Sequence, residues 1–392
     1  MEKTIRRILL IVMVIVLVYL GATGKFSTIT DIYISYTDKF EYTDEYRINE
    51  LQYTSENFYF NTLNENQKKI YSAVSKASTD LLNEVIVSKY ELKSIDEASQ
   101  DAKIAINAFL CDHPEVFYLN SQYVVSITES FLGKILKLQL NYSVSSKTEM
   151  QTQINKIDSI VNEIKNSVNG MDTYNQELYV HDYLAKNVRY YGEYEEENLD
   201  KYHSAYTALV EKDAVCDGIS KAFQIVLNKL GIENYLVTGY INETPHAWNM
   251  VKIEGEWVYV DITSDKFVKD ENGNTIEAVH TYFNVNKEFI SKNHTIDDED
   301  IFPSSTSTDK TYFVKNNCYI AISQDFNSRV EKIFEKQSDR KIVEFSTDLQ
   351  LNVPEKLVKK LQEMKFNKLK TDGNRVTMTY YNEQNVYIIP KV

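Results

Sequence analysis

Residues 214–263 constrain this chain more than any other stretch, because they read as one amphipathic helix leading directly into a three-stranded meander. After Cys216, apolar residues at Ile219, Ala222, Phe223, Val226, Leu227 and Leu230 recur with helical spacing, and Gly231 supplies a C-terminal stop. Tyr235–Ile241 and His246–Ile253 then read as strands, and a Glu-Gly-Glu turn leads into a third, Trp257–Thr263. A helix packed on a small antiparallel sheet, an α+β core, is what this order predicts.

Three residues in this stretch carry potential chemistry. Cys216 opens the helix, where unsatisfied backbone N–H groups and the positive end of the dipole favour a thiolate. If the turn centres on Glu254–Gly255, His246 faces Thr263 and Asp261 lies diagonally on the same face, with Cβ atoms roughly 7–8 Å apart. A three-residue turn would shift the register by one and separate the two unless a bulge restored it. In the first register His246 takes the proton from Cys216, and Asp261 fixes the imidazole tautomer and stabilises its cation. Cys216 and His246 each have an ordinary structural alternative: a small buried cysteine and a structural histidine at a strand start.

The local contexts favour the catalytic alternative. The sequence resembles the transglutaminase-like superfamily, the papain-related group that includes transglutaminases, peptide N-glycanases and bacterial cysteine proteases. The resemblance covers roughly residues 175–265 and rests on Val215-Cys216-Asp217-Gly218, His246-Ala247-Trp248 and the run from Trp257 through Asp261 to Thr263. It implies a papain-like core with Cys216 as nucleophile, His246 as base and Asp261 as orienting acid. Ile219 follows Gly218 where many relatives have an aromatic residue, and Ser264-Asp265 stand where many have Trp-Asp, which puts substrate preference in doubt. The resemblance also implies a second oxyanion donor upstream of the cysteine, beside its own N–H. Tyr206, in Tyr202–Leu209, is the candidate, although Ala205, Ala208 and Leu209 give that segment an apolar stripe of its own.

Cofactor and metal signatures are lacking in the sequence. The cysteines lie about a hundred residues apart, the histidines show no paired spacing, and there is no glycine-rich phosphate loop. Asp297–Asp300 lacks the glycine and spaced ligands of a calcium loop, and Asp270–Asn274 reads as a hairpin turn. Neither a cofactor nor a metal is therefore expected. Glu193–Asn198 reads as a solvated loop that could border a cleft.

The chain has 392 residues, 43% hydrophobic, enough for two or three cored domains. A net charge of −14 without a basic stripe disfavours nucleic acid as a partner. At the amino terminus Lys3, Arg6 and Arg7 precede an apolar run, Ile8–Leu20, which spans about 20–26 Å with its small flanking residues, short of a bilayer core of about 30 Å. Residues 1–24 thus read as a signal peptide or an uncleaved signal anchor, the bulk of the chain lying outside the cytoplasmic membrane. Cys111 and Cys318 read as two buried thiols, a pairing between them being the alternative.

An N-terminal α/β region is expected over 25–150, with helices at Glu65–Lys89 and Ile95–Cys111 and strands at Val116–Ile127 and Ile135–Val144. Asp112-His-Pro-Glu115 matches a segment common in bacterial relatives, in which His113 has a structural or substrate-framing part. The catalytic domain is expected over 151–302, opening with helices Lys147–Val168 and Tyr174–Asn187. A linker at 303–309 leads to a small C-terminal α/β module over 310–392, with strand-like Tyr312–Ile322, helices Asp325–Lys336 and Glu355–Met364, and strands Ile342–Ser346, Arg375–Tyr381 and Asn385–Ile389. The expected function is that of an exported or membrane-anchored cysteine enzyme acting on amide bonds of protein or peptide substrates, those of the cell envelope among them, through a thioester. Hydrolysis or deamidation is favoured over amine transfer; the alternative is a non-catalytic cell-surface binding module on the same fold. Oligomeric state is left open.

Overall fold

The computed structural model describes residues 57–391, apart from 88, 131–132, 192–198, 266–267, 270–274, 350–352, 364–370, 373–374, 377–378 and 382–384. The N-terminal apolar run, the acidic loop 193–198 and the 270–274 turn therefore lie outside the described residues. Among the described residues no helix is long and apolar enough to cross a membrane. They divide into two compact units, 59–110 with 119–147, and 57–58 with 111–118 and 148–391.

In the first unit, helix α1 (Glu65–Asp80) starts at Asn64, whose side chain accepts from the Gln67 N–H while Gln67 reciprocates on the Asn64 backbone, a complete capping box. The helix expected to run on to Lys89 stops at Asp80. Leu81 turns left-handed at φ 55°, and the β-branched run that follows forms β1 (Glu84–Val87). Helix α2 (Ile95–Asp112) and strands β2 (Leu119–Ser130) and β3 (Gly133–Tyr142) follow, the antiparallel sheet being ordered β1-β3-β2. Ile70 and Val74 on α1, Ala102, Ile106 and Phe109 on α2, and Leu136, Leu138 and Leu140 on β3 form its buried core.

The second unit opens with two long helices, α3 (Lys147–Ser167) and α4 (Thr173–Asn187), the latter capped by Asp172. A two-residue strand, β4 (Arg189–Tyr190), pairs in parallel with β5 (Asp213–Ala214) immediately before helix α5 (Cys216–Leu230). Gly231 ends α5 at φ 75°. Strands β6 (Asn234–Ile241), β7 (Thr244–Ile253) and β8 (Glu256–Val260) form the expected antiparallel meander. A short hairpin, β9 (Val268–Lys269) with β10 (Thr275–Glu277), follows, and β11 (His294–Ile296) adds to the free edge of β6, giving the order β11-β6-β7-β8.

That added edge strand explains Gly239: a Cβ there would lie 1.9 Å from the Thr295 carbonyl oxygen and 2.9 Å from Trp248. Helix α5 is tied to β7 by two buried hydrogen bonds, Ser220 Oγ to the Ala247 carbonyl at 3.0 Å and Asn249 Nδ2 to the Ser220 carbonyl at 3.1 Å. The other face of the sheet buries Val237, Trp248, Met250, Tyr259, Tyr282 and Val285.

The C-terminal residues form a mixed sheet ordered β12 (Tyr319–Ile320), β13 (Ile342–Thr347), β15 (Val386–Pro390), β14 (Thr379–Tyr381), with helices α6 (Phe326–Lys336) and α7 (Val353–Glu363). Only the end of the strand expected at Tyr312–Ile322 forms. Its start is a helical turn, Tyr312–Lys315, because the Thr311 side chain caps the Val314 N–H and overrides the β-forming aromatic residues. Cys111, Cys216 and Cys318 are all free and buried.

Candidate active site

The position of Cys216 follows from the packing of the chain just before it. Pairing of β4 with β5 brings the Tyr191 N–H to the Ala214 carbonyl at 3.0 Å, and the Val215 N–H bonds the Tyr202 carbonyl at 3.1 Å. Gly218 is required by the same close approach, since a Cβ would stand 2.5 Å from the Tyr202 oxygen. Val215 is the N-cap residue in extended conformation, so the cysteine occupies the first turn of α5. It is 8% exposed.

The turn between β7 and β8 is the two-residue one, with Glu254 at φ 51° and Gly255 at φ 86°. Pairs from Ile253↔Glu256 to Asn249↔Val260 give the register that sets His246 diagonal to Asp261. His246 Nε2 donates to Asp261 Oδ2 at 3.0 Å, and Cys216 acts on the same imidazole, favouring its charged form. Burial opposes protonation of His246, but the Asp261 charge and hydrogen bonds to Asp261 and Cys216 outweigh it, and the imidazole is pushed up to about 10. The surroundings of the imidazole therefore favour its charged form.

Asp261 is almost entirely enclosed. Its Oδ1 accepts from the backbone N–H groups of Thr263 at 3.0 Å and Ser264 at 3.2 Å; Oδ2 accepts from His246, from His294 Nε2 at 3.1 Å and from Ser264 Oγ at 2.5 Å. Burial alone would raise its pKa, yet the charge of His246 and the hydrogen bonds from His246 and His294 hold it well below the usual carboxylate range. The sequence marks Ser264 only as a departure from the family pattern and gives His294 no role. His294 arrives on the edge strand β11, whose pairing no local pattern announces; its place within His294-Thr-Ile296 is the only sequence signal it leaves.

Tyr206, the expected second oxyanion donor, is placed elsewhere. Its ring stacks on Phe117 with centroids 5.6 Å apart, and its hydroxyl faces Lys156 Nζ at 3.4 Å. The tyrosine that neighbours the cysteine is Tyr190 on β4, whose hydroxyl feels the side chain and backbone of Cys216. Burial and the neighbouring Cys216 and Asp261 raise its pKa, so it stays a neutral donor. Its sequence signal is faint: Arg189 and Asp213, the charged residues before it and before Ala214, form the bidentate pair that marks the β4–β5 register.

Residues 159–262 match the family model of the transglutaminase-like superfamily. The chain carries a transglutaminase-like domain. The matched stretch runs from α3 through α4 and α5 to the end of β8 and contains Cys216, His246 and Asp261, and the α+β core is of the papain-like transglutaminase type. Among solved structures, a transglutaminase is 15% identical over 60% of this chain and 56% of its own, with a TM-score of 0.29. A proposed cysteine protease from Cytophaga hutchinsonii is 15% identical over 40% of this chain and 66% of its own, TM-score 0.24. A proposed protease from Parabacteroides distasonis is 11% identical over 36% of each chain, TM-score 0.20. The chain thus spans between 36% and 66% of the length of these structures. No curated protein matches it.

Proposed function

We propose that this protein is a cysteine enzyme that cleaves amide bonds of proteins or peptides through a thioester on Cys216. The observation that carries the reading is His246 held between Cys216 and a fully buried, multiply bonded Asp261. The sulfur attacks the amide carbonyl carbon, and the carbonyl π electrons move to oxygen, which meets the Cys216 backbone N–H and the Tyr190 hydroxyl as donors. Collapse of that intermediate breaks the C–N bond while His246 gives its proton to the leaving nitrogen, releasing an amine or, from a glutamine side chain, ammonia. Neutral His246 then takes a proton from water, whose oxygen attacks the thioester and frees the acid and Cys216.

Hydrolysis or deamidation is favoured over amine transfer because water needs no dedicated acceptor surface. The basic residues before Ile8–Leu20 support an extracytoplasmic location, with cell-envelope proteins or peptides as substrates. The test is incubation of the full chain with glutamine-containing peptides and a fluorescent primary amine, reading ammonia release, peptide mass and amine incorporation beside Cys216→Ala. Cys216-dependent ammonia or new peptide termini without amine incorporation is the expected result. Amine incorporation would replace hydrolysis with transfer. If a broad peptide library shows no Cys216-dependent product, the enzyme reading fails.

A further inference from the structure

A second cluster of titratable side chains lies on the far end of α4, built from residues that the thiol chemistry does not use. Asp182 Oδ1 stands between two imidazoles, 3.1 Å from His181 Nδ1 and 2.9 Å from His280 Nε2. The other nitrogen of each ring is held by a further carboxylate: His181 Nε2 by Asp265 Oδ2 at 3.2 Å, His280 Nδ1 by Glu344 Oε1 at 2.6 Å. Both histidines and both outer carboxylates are buried, and Tyr312 stacks on the His280 ring at 3.7 Å.

We propose that His181, Asp182 and His280 form a binding site for a divalent cation of the zinc class. His181 ligates through Nδ1, His280 through Nε2 and Asp182 through its carboxylate. The donor atoms lie within 4.8 Å of one another, close enough to converge on one ion after a small rotation of the carboxylate. The outer shell is the strongest support. A ligating imidazole is ordinarily fixed by a carboxylate on its other ring nitrogen, and here both rings have one.

Charge points the same way. Among the described residues, Asp182, Asp265, Glu344 and Glu277 meet two permanent cations: Arg340, which pairs with Glu344 and lies 3.5 Å from Glu277, and Lys186, 3.6 Å from both Asp182 and Glu277. Ligation requires both imidazoles neutral, and the four carboxylates then outnumber the two described cations, an excess that a divalent ion offsets. Access comes through a cleft of about 720 Å³ lined by Asp172, Asn175, Tyr179, Asp182, Tyr183 and Lys186. The Asp182 side chain is 30% exposed, so an open coordination position meets solvent there.

The cluster of His246, Asp261 and His294 also brings three such groups together, but it lacks this outer shell. His246 faces Cys216 and His294 Nδ1 faces the Asn293 amide oxygen, so that cluster belongs to the thiol site. A cation at His181–Asp182–His280 would fasten α4 to the 278–284 segment, with Glu344 of β13 reaching the same point through His280.

The test uses the full chain carrying Cys216→Ala, so that the thiol contributes no ligand. Zn²⁺ affinity is measured by competition with a chromophoric chelator, and bound metal by elemental analysis. Expected is one equivalent, with affinity lowered more than about tenfold by Asp182→Asn, a nearly isosteric change at a partly exposed position. Co²⁺ should give the visible absorption of a four-coordinate site, lost in the same variant. His280→Gln provides a second reading, with thermal melts confirming that each variant is folded. Folded protein that takes up no Zn²⁺ would overturn the proposal, the histidines then carrying protons in place of the ion. Uptake that Asp182→Asn and His280→Gln leave unchanged would overturn it as well.

Discussion

Replacing Asp261 with asparagine isolates the electrostatic part of the thiol site, because it keeps the side-chain shape and removes the charge. Asp261 supplies the largest contribution favouring the charged imidazole, which it helps move from an ordinary 6.5 to about 10. That displacement corresponds to roughly 5 kcal/mol between protonation states. The sign is that of a raised base: the stabilisation is complete below about pH 6.5 and is lost as pH rises through about 10. Asp261, depressed by the same contact, adds the complementary limb, lost as pH falls below the ordinary carboxylate range. One interaction underlies both limbs and counts once. In Asp261→Asn the imidazole falls back toward its ordinary 6.5, burial then being opposed by Cys216 alone. At pH 8 the protonated fraction then falls from nearly complete to about 3%, a loss of roughly thirtyfold in the form that protonates the leaving nitrogen. The assay is a histidine titration by NMR on specifically labelled full chain, wild type beside Asp261→Asn, followed by the pH dependence of kcat/KM once a substrate is found. The alkaline limb should move from near 10 to near 6.5. A wild-type His246 that titrates near 6.5, or a midpoint that Asp261→Asn does not move, would refute the reasoning.

Tyr190→Phe should lower kcat by on the order of 10² with little change in KM, as expected for an oxyanion donor, whereas Tyr206→Phe should leave both unchanged; equal effects would put the oxyanion elsewhere. Ser264→Ala removes one hydrogen bond to Asp261, about 1 kcal/mol, and should cost about fivefold in kcat/KM while His246 still titrates high. Gly218→Ala forces a Cβ toward the Tyr202 carbonyl and should destabilise by about 1–3 kcal/mol, read as a lower urea midpoint; an unchanged midpoint would mean that the 202–204 backbone yields freely. Arg340→Met leaves buried Glu344 without its guanidinium and should cost about 3–5 kcal/mol by the same measurement, unless His280 compensates alone.

What could be read from the sequence was fixed by neighbours along the chain. Cys216 at the start of α5 follows from local pattern, whereas the register of β7 on β8 is one of two that the pattern allows, and the structure takes the two-residue turn with Glu254 and Gly255 both at positive φ. Interactions made at sheet edges, or between residues remote along the chain, left no comparable trace. Tyr190 reaches Cys216 through a two-residue parallel pairing, His294 joins from an edge strand, and His181 and Asp182 meet His280 across roughly a hundred residues, where ligand-spacing rules have no purchase. Helix α1 is shorter than the pattern predicts for the converse reason: the apolar periodicity continues through Leu81 and Val85, and only the left-handed turn at Leu81 distinguishes a helix from a helix followed by a strand.

The substitution of Ser264-Asp265 for the Trp-Asp of many relatives shows how a local departure acquires meaning from its surroundings. In sequence it bears on substrate preference. In the fold the residue that differs, Ser264, gives Asp261 both its N–H and its hydroxyl, while the shared aspartate, Asp265, binds His181 and the Tyr282 N–H. An indole at position 264 has one N–H and no hydroxyl to offer a carboxylate three residues back, so the serine gains a donor where an aromatic surface is given up. A carboxylate that accepts from five donors is costly to protonate and costly to rotate, and both keep His246 aimed at Cys216. The departure at position 264 therefore bears first on Asp261, through the two donors that Ser264 gives it.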